Sequence, residues 1–243
     1  EGSFMPIFAF LFGYSMVMMR ESLIAKGLKY GRSLFRRSVL LIALGALHSY
    51  YIWEGDILLF YGGVSFFLLL FVKRKPRTLL IWGAALLALM AAFSYGTAET
   101  TAEGTARMAA YVKKSIEVYG SGTYSEIMHF RLTEELPIDL PEWLLLLVFL
   151  ITPLISAPMF LFGMAAAKRG RFLDPSAEIK RYVRGALLVP VALALKTACV
   201  LLGTGSAWNG PLTLLGGPLL GLGYVYLFAL LYAVSPRKSA VIR

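Results

Sequence analysis

The sequence predicts an all-α fold, a polytopic bundle of about seven transmembrane helices making up a single membrane domain over residues 1–243. Three observations predict it. The chain is 58% hydrophobic and 16% charged, with a mean hydropathy of +0.69, whereas a soluble domain is about half apolar and a quarter charged. Its apolar residues gather into runs long enough, or nearly so, to cross a hydrocarbon layer as helices of about 20 residues. Its basic residues fall in alternate connections between those runs.

The runs cover roughly residues 4–19, 38–53, 57–72, 78–95, 143–167, 185–203 and 211–234. The first, third and fourth are short and rely on flanking aromatic residues to reach the interface. Lys and Arg number six in segment 20–37, four in "KRKPR" (73–77), six in segment 168–184 and three in the tail 235–243, while the connections on the other side hold only Arg107, Lys113, Lys114 and Arg131. The positive-inside rule makes the first set cytoplasmic, with the N-terminus outside and the C-terminus inside. The net charge of +10 therefore reflects loops against anionic membrane lipids, and no nucleic-acid partner is expected. There is no zinc-ligand spacing, so no metal is expected, and the one cysteine, Cys199, excludes a disulfide within the chain.

Segment 96–142 is then an extracytoplasmic loop. It carries eight acidic residues, and "ARMAAYVKKSIEVYG" has helical amphipathicity suited to the membrane surface or to capping a cavity. "LPIDLPEW" (136–143) leads into the fifth run, and "GGPLLGLG" (216–223) allows close backbone approach or a binding role. The chain does not start with methionine and has no signal-peptide pattern, so it is expected to be part of a longer protein.

The chemistry-bearing residues concentrate in "LLIALGALHSYYIWEGDILLFYGG" (40–63). His48 lies inside the outer end of the second helix, with Trp53, Glu54 and Asp56 at the rim and Gly55 allowing a tight reversal. A continuous helix would hold His48 and Asp56 about 12 Å apart along its axis, and the turn can fold Asp56 back towards the imidazole. His48 then reads as a general base or acyl acceptor whose tautomer is fixed by Asp56 or Glu54. The alternative is an interhelical hydrogen bond, with carboxylates that merely end two helices in water. Lys196, within the sixth run, either snorkels outward or faces a polar cavity as a substrate contact. Arg131 reads as a clamp for phosphate or carboxylate, or as a headgroup contact, and His129 beside it as a solvated loop residue.

Several stretches together resemble one family. "FMPIFAFLFGYSMVMMR", "FRRSVLLIALGALHSYYIWEGDILLFYG", "YGSGTYSEIMHFR" and "APMFLFGMAAAKRGRF" are similar in order and spacing to motifs of the bacterial YeiB-like membrane proteins, a domain-of-unknown-function family. That family is grouped with transmembrane acyltransferases such as heparan-alpha-glucosaminide acetyltransferase. By this resemblance His48, Gly55, Asp56 and Arg131 fall on recurrent polar positions, and the protein belongs in a bacterial cytoplasmic membrane. The family's N-terminal helix and its downstream "LTNY" segment have no counterpart in this chain.

The resulting expectation is a membrane acyltransferase that takes an acyl group from a cytosolic thioester such as acyl-CoA, with no tightly bound cofactor. The acceptor would be an extracytoplasmic glycan or lipid. The alternative is a transporter or small-molecule or lipid-binding protein without covalent chemistry, in which His48, Asp56 and Lys196 line a path. A structural subunit is a third reading, and a homo-oligomer is compatible with all three.

Overall fold

Apolar runs broken by polar turns fold as helices because hydrocarbon leaves no partner for a backbone group outside the helix itself. A computed structural model describes residues 4–53, 56–96, 102–134, 141–202 and 206–235, and among them there is helix and no strand. The helices are α1 (Phe4–Ala25), α2 (Tyr30–Tyr51), α3 (Ile57–Leu69), α4 (Pro76–Phe93), α5 (Ala102–Ser121), α6 (Tyr124–Thr133), α7 (Glu142–Lys168), α8 (Ile179–Ala186), α9 (Leu188–Leu201) and α10 (Asn209–Val234). The all-α expectation holds.

The helix α7 is the hub, packing on α1, α3 and α4, while α10 joins α1 and α4 to α8 and α9. Glycines set the closest crossing. A Cβ at Gly13 would sit 2.0 Å from the Phe160 carbonyl oxygen, and one at Gly163 would sit 1.9 Å from the Phe10 carbonyl oxygen. This reciprocal contact brings the α1 and α7 backbones together where two side chains would hold them apart. Around it Phe12, Tyr61 and Phe160 pack edge to face, with centroids 5.2 to 5.6 Å apart. The close approach expected of "GGPLLGLG" is helix packing: Gly216 faces the Lys196 stem and Gly223 faces Val189.

Four helical stretches among the described residues are long and apolar enough to cross a membrane, namely Phe4–Ala25, Pro76–Phe93, Ile179–Leu201 and Asn209–Val234. The expected number was about seven; the runs at 38–53, 57–72 and 143–167 are not among the four, the last of them being the 27-residue α7, and the first two differ from expectation as follows. The run at 38–53 belongs to a helix that starts at Tyr30, so its first turns carry Arg32, Arg36 and Arg37; Arg37 lies over the Phe12 ring, 4.5 Å from its centroid. The run at 57–72 gives a helix of 13 residues, about 20 Å long against a hydrocarbon core of about 30 Å. The run at 185–203 is the α9 part of an almost continuous α8–α9 rod. Pro190 has no N–H for the Ala186 carbonyl, which accounts for the offset at Leu187 between the two. The outer segment, expected as a loop, holds the two polar helices α5 and α6, which pack on each other.

Many large apolar side chains on the spanning helices face outward, among them Ile81, Phe93, Val200 and Leu201, each more than two-thirds exposed. Such faces belong against lipid.

A candidate His–Asp site at the end of the second and third helices

The α2–α3 hairpin is drawn together by small residues. Ser38 and Ser65, both fully buried, share a 2.6 Å hydrogen bond. A Cβ at Gly62 would fall 2.6 Å from Ile42, and one at Gly45 would fall 2.1 Å from the Leu59 nitrogen and 2.8 Å from Asp56 Oδ2. The start of α3 thus lies directly on α2, one turn before His48.

Asp56 is the N-cap of α3. Its Oδ2 accepts from the Leu59 N–H at 2.7 Å, satisfying one of the helix's unpaired donors. Its other oxygen, Oδ1, lies 3.0 Å from His48 Nδ1; the Asp56 side chain is 1% exposed and that of His48 37%. The expected fold-back of Asp56 onto His48 is what the hairpin produces. The approach is within ion-pair distance but off the ring N–H direction, because Nδ1 is buried without an aligned hydrogen bond among the described residues. It is therefore an electrostatic contact that a small ring rotation would convert into a hydrogen bond. A carboxylate only accepts, so the favoured tautomer carries its proton on Nδ1 and a lone pair on Nε2. Nε2 has no partner among the described residues. Trp53 is 54% exposed beside the pair, and its N–H closes α2 on the His48 carbonyl at 2.9 Å. Glu54 and Gly55, the other rim residues expected from the sequence, lie outside the described residues.

Arg131 reaches the same helix end. Its guanidinium donates to the Ser49 carbonyl, and Tyr124 Oη donates to the Tyr51 carbonyl at 2.8 Å. These are last-turn carbonyls that α2 itself leaves unpaired. Arg131 thus ties the α5–α6 pair to the residue next to His48. Replacing it by alanine is expected to raise amide exchange across 124–133 about tenfold, the effect of losing a charged hydrogen bond; unchanged exchange would mean the tie carries no stability. His129 is exposed, as expected.

The start of α6 carries a capping box between Thr123 and Glu126. The Thr123 N–H and hydroxyl hold the Glu126 carboxyl below its ordinary value. With a depressed folded value, this cap is fully present above the ordinary carboxylate range and is lost as pH falls through the folded value. Fraying of α6 in acid, and its reduction in Glu126→Gln, is the expected exchange pattern.

Lys196 lies elsewhere. From α9 its stem covers Gly216 of α10, and α9 packs on α10 and α8, so it does not join the His48–Asp56 pair.

Two features were not read from the sequence. At the opposite, basic end Glu178 gathers the turn after α7. It accepts from Arg171 at 2.6 Å, from the Phe172 N–H at 3.0 Å, from Tyr182 Oη at 3.3 Å and from Arg181. This holds Phe172 at φ 67°, stacked on Tyr182 with planes 5° apart. Lys168 closes the same end on the carbonyls of Val72 and Arg74. Glu178→Gln is expected to destabilise the protein by about 1–2 kcal/mol, since two partly exposed guanidiniums lose their shared counter-charge while Gln keeps an acceptor; a thermal melt in detergent checks it. As one of two acids among six bases in segment 168–184, Glu178 gave no local signal. The second feature is a mainly apolar cavity of about 270 Å³ whose walls include Tyr61.

The chain is 32% identical over 215 residues to a Bacillus subtilis protein named Uncharacterized protein YxaH, an alignment covering 81% of this chain and 53% of that protein. The chain thus spans about half the length of the curated relative it matches. No family model matches it, and no solved structure matches it.

Proposed function

We propose that this chain is the membrane core of an acyltransferase of a bacterial cytoplasmic membrane, akin to the YeiB-like proteins its motifs resemble. His48 is its general base. The observation that carries the reading is the His48 Nδ1–Asp56 Oδ1 contact of 3.0 Å, made by a carboxylate that is 1% exposed. A buried anion behind one ring nitrogen holds the lone pair on the other and sets a counter-charge beside the imidazolium formed as the proton is taken. Nε2, on a side chain that is 37% exposed, then meets the acceptor.

In the reaction, an acceptor hydroxyl or amine attacks the thioester carbonyl carbon while its proton passes to His48 Nε2. The carbon–sulfur bond then breaks, and the imidazolium returns the proton to the leaving thiolate. The acyl group starts on a cytosolic thioester such as acyl-CoA and ends on an extracytoplasmic glycan or lipid headgroup. Seven membrane crossings, with the N-terminus outside and the basic connections inside, put the His48 end outside. On this reading the crossings are the four apolar spans, the 27-residue α7 and the α2–α3 hairpin, whose short α3 is completed by flanking aromatic residues. Arg131 positions the outer helices beside the site, and Trp53 offers its exposed ring to substrate.

The test uses the full-length protein in liposomes, with radiolabelled acetyl-CoA on the cytoplasmic face and label sought on the protein or on an acceptor opposite. Label that disappears in His48→Ala supports the reading, and label that persists in that variant sinks it.

The cavity beside Tyr61 favours a second reading, a transporter or lipid-binding protein without covalent chemistry. It predicts unmodified solute across the bilayer and no acylated product.

A further inference from the structure

The cavity at the His48 end of the bundle is built by five helices. Met5, Pro6 and Ala9 come from α1, Phe60 and Tyr61 from α3, and Leu87 and Met90 from α4. Ser156 and Pro158 to Phe160 of α7 and Leu214 and Pro218 of α10 complete it. Tyr61 follows Asp56 by five residues, about 7.5 Å along the α3 axis. Met5, 45% exposed, marks the mouth. The cavity holds about 270 Å³, nearly twice the roughly 150 Å³ apolar void that stays dry and accepts a benzene molecule. On that scale it has room for about ten carbons, and its walls offer water too few partners to fill it.

One wall group asks for a partner. Tyr61 is 9% exposed, and its Oη is buried with no hydrogen bond among the described residues. Buried hydroxyls are paired in the great majority of cases, and an exception calls for an explanation. Pro218 lies inside α10 and lacks the N–H that would bond the Leu214 carbonyl, so the α10 hydrogen-bond ladder is interrupted at the same wall.

We propose that this cavity is a binding site for a single aliphatic chain of about eight to ten carbons that ends in a hydroxyl or carbonyl, with Tyr61 Oη as its hydrogen-bonding partner. The site goes beyond acyl transfer, because it binds a chain whether or not His48 does chemistry. The same chemistry is found on a membrane lipid and on a medium-chain thioester.

The experiment is photolabelling of the full-length protein in nanodiscs with a diazirine-bearing octanol and with the matching diazirine-bearing octane. Saturable labelling of peptides containing Met90 and Met159, displaced by 1-decanol, is the expected result. Tyr61→Phe should weaken the alcohol about tenfold and leave the alkane unchanged, while Leu87→Trp should fill the space and remove both. Displacement by decanoyl-CoA would assign the natural chain to a thioester, and displacement by didecanoyl phosphatidylglycerol to a lipid. Labelling spread without saturation over outward residues such as Phe93 and Leu201 would overturn the proposal, as would equal effects of Tyr61→Phe on both probes. Labelling that survives in His48→Ala, alongside lost acyl transfer, separates this site from the reaction.

Discussion

Valine in place of Gly163 is expected to part α1 from α7 and to leave little folded protein. The added Cβ would lie 1.9 Å from the Phe10 carbonyl oxygen, 2.8 Å from its carbon and 3.0 Å from the Tyr14 nitrogen. All three are backbone atoms of a helix, so no rotamer change relieves the overlap. Gly13, facing the Phe160 backbone from the other side at 2.0 Å, leaves no slack for α1 to shift along α7. Overpacking a core costs about 1–3 kcal/mol when side chains can move. Two rigid backbones put this case at or above the upper end, a large share of a total stability of about 5–15 kcal/mol. Gly13→Val should behave alike, and alanine at either site should fall between. The control is Gly31→Val on α2, where an added Cβ meets nothing within 4 Å. Equal detergent melting temperatures for Gly163→Val and Gly31→Val would refute the α1–α7 crossing.

That crossing illustrates what the sequence could not show. Helix existence was legible because each apolar run must satisfy its backbone internally. Helix ends were less so: α2 starts eight residues before its apolar run, since Arg side chains reach past the helix with their stems and a basic turn need not break it. The polar helices α5 and α6 carry no spanning signal; the amphipathicity of "ARMAAYVKKSIEVYG" hinted at α5, while "YSEIMHFRL" read as loop. Gly13 and Gly163 are 150 positions apart, and nothing local pairs them. The His48–Asp56 juxtaposition was legible because a hairpin brings its two ends together whatever its details. Arg131 and Glu178 act on carbonyls and side chains set by tertiary contact, as does the Tyr61 hydroxyl, whose lack of a partner is a property of the packed state alone.

Asparagine in place of Asp56 is expected to abolish transfer while leaving the fold intact, and it separates the two duties of this side chain. Oδ2 caps α3 through the Leu59 N–H, a role asparagine fills as well as aspartate does. Oδ1 faces His48 Nδ1, and there the two residues differ. An amide either turns an NH2 group towards Nδ1, favouring the tautomer with its proton on Nε2, or offers a neutral oxygen that cannot stabilise an imidazolium. Either way Nε2 stops being an effective base. General-base catalysis is worth about 10²–10⁴-fold in rate, so transfer should fall by that factor with little change in melting temperature. Asp56→Ala removes the cap as well, at about 0.5–2 kcal/mol, and should lose both activity and stability. The purely structural reading of the pair predicts the reverse ordering, with Asp56→Asn silent and only Asp56→Ala harmful. A parallel measurement of transfer and thermal stability in the two variants decides between them, because cap and counter-ion reside on different oxygens of one carboxylate.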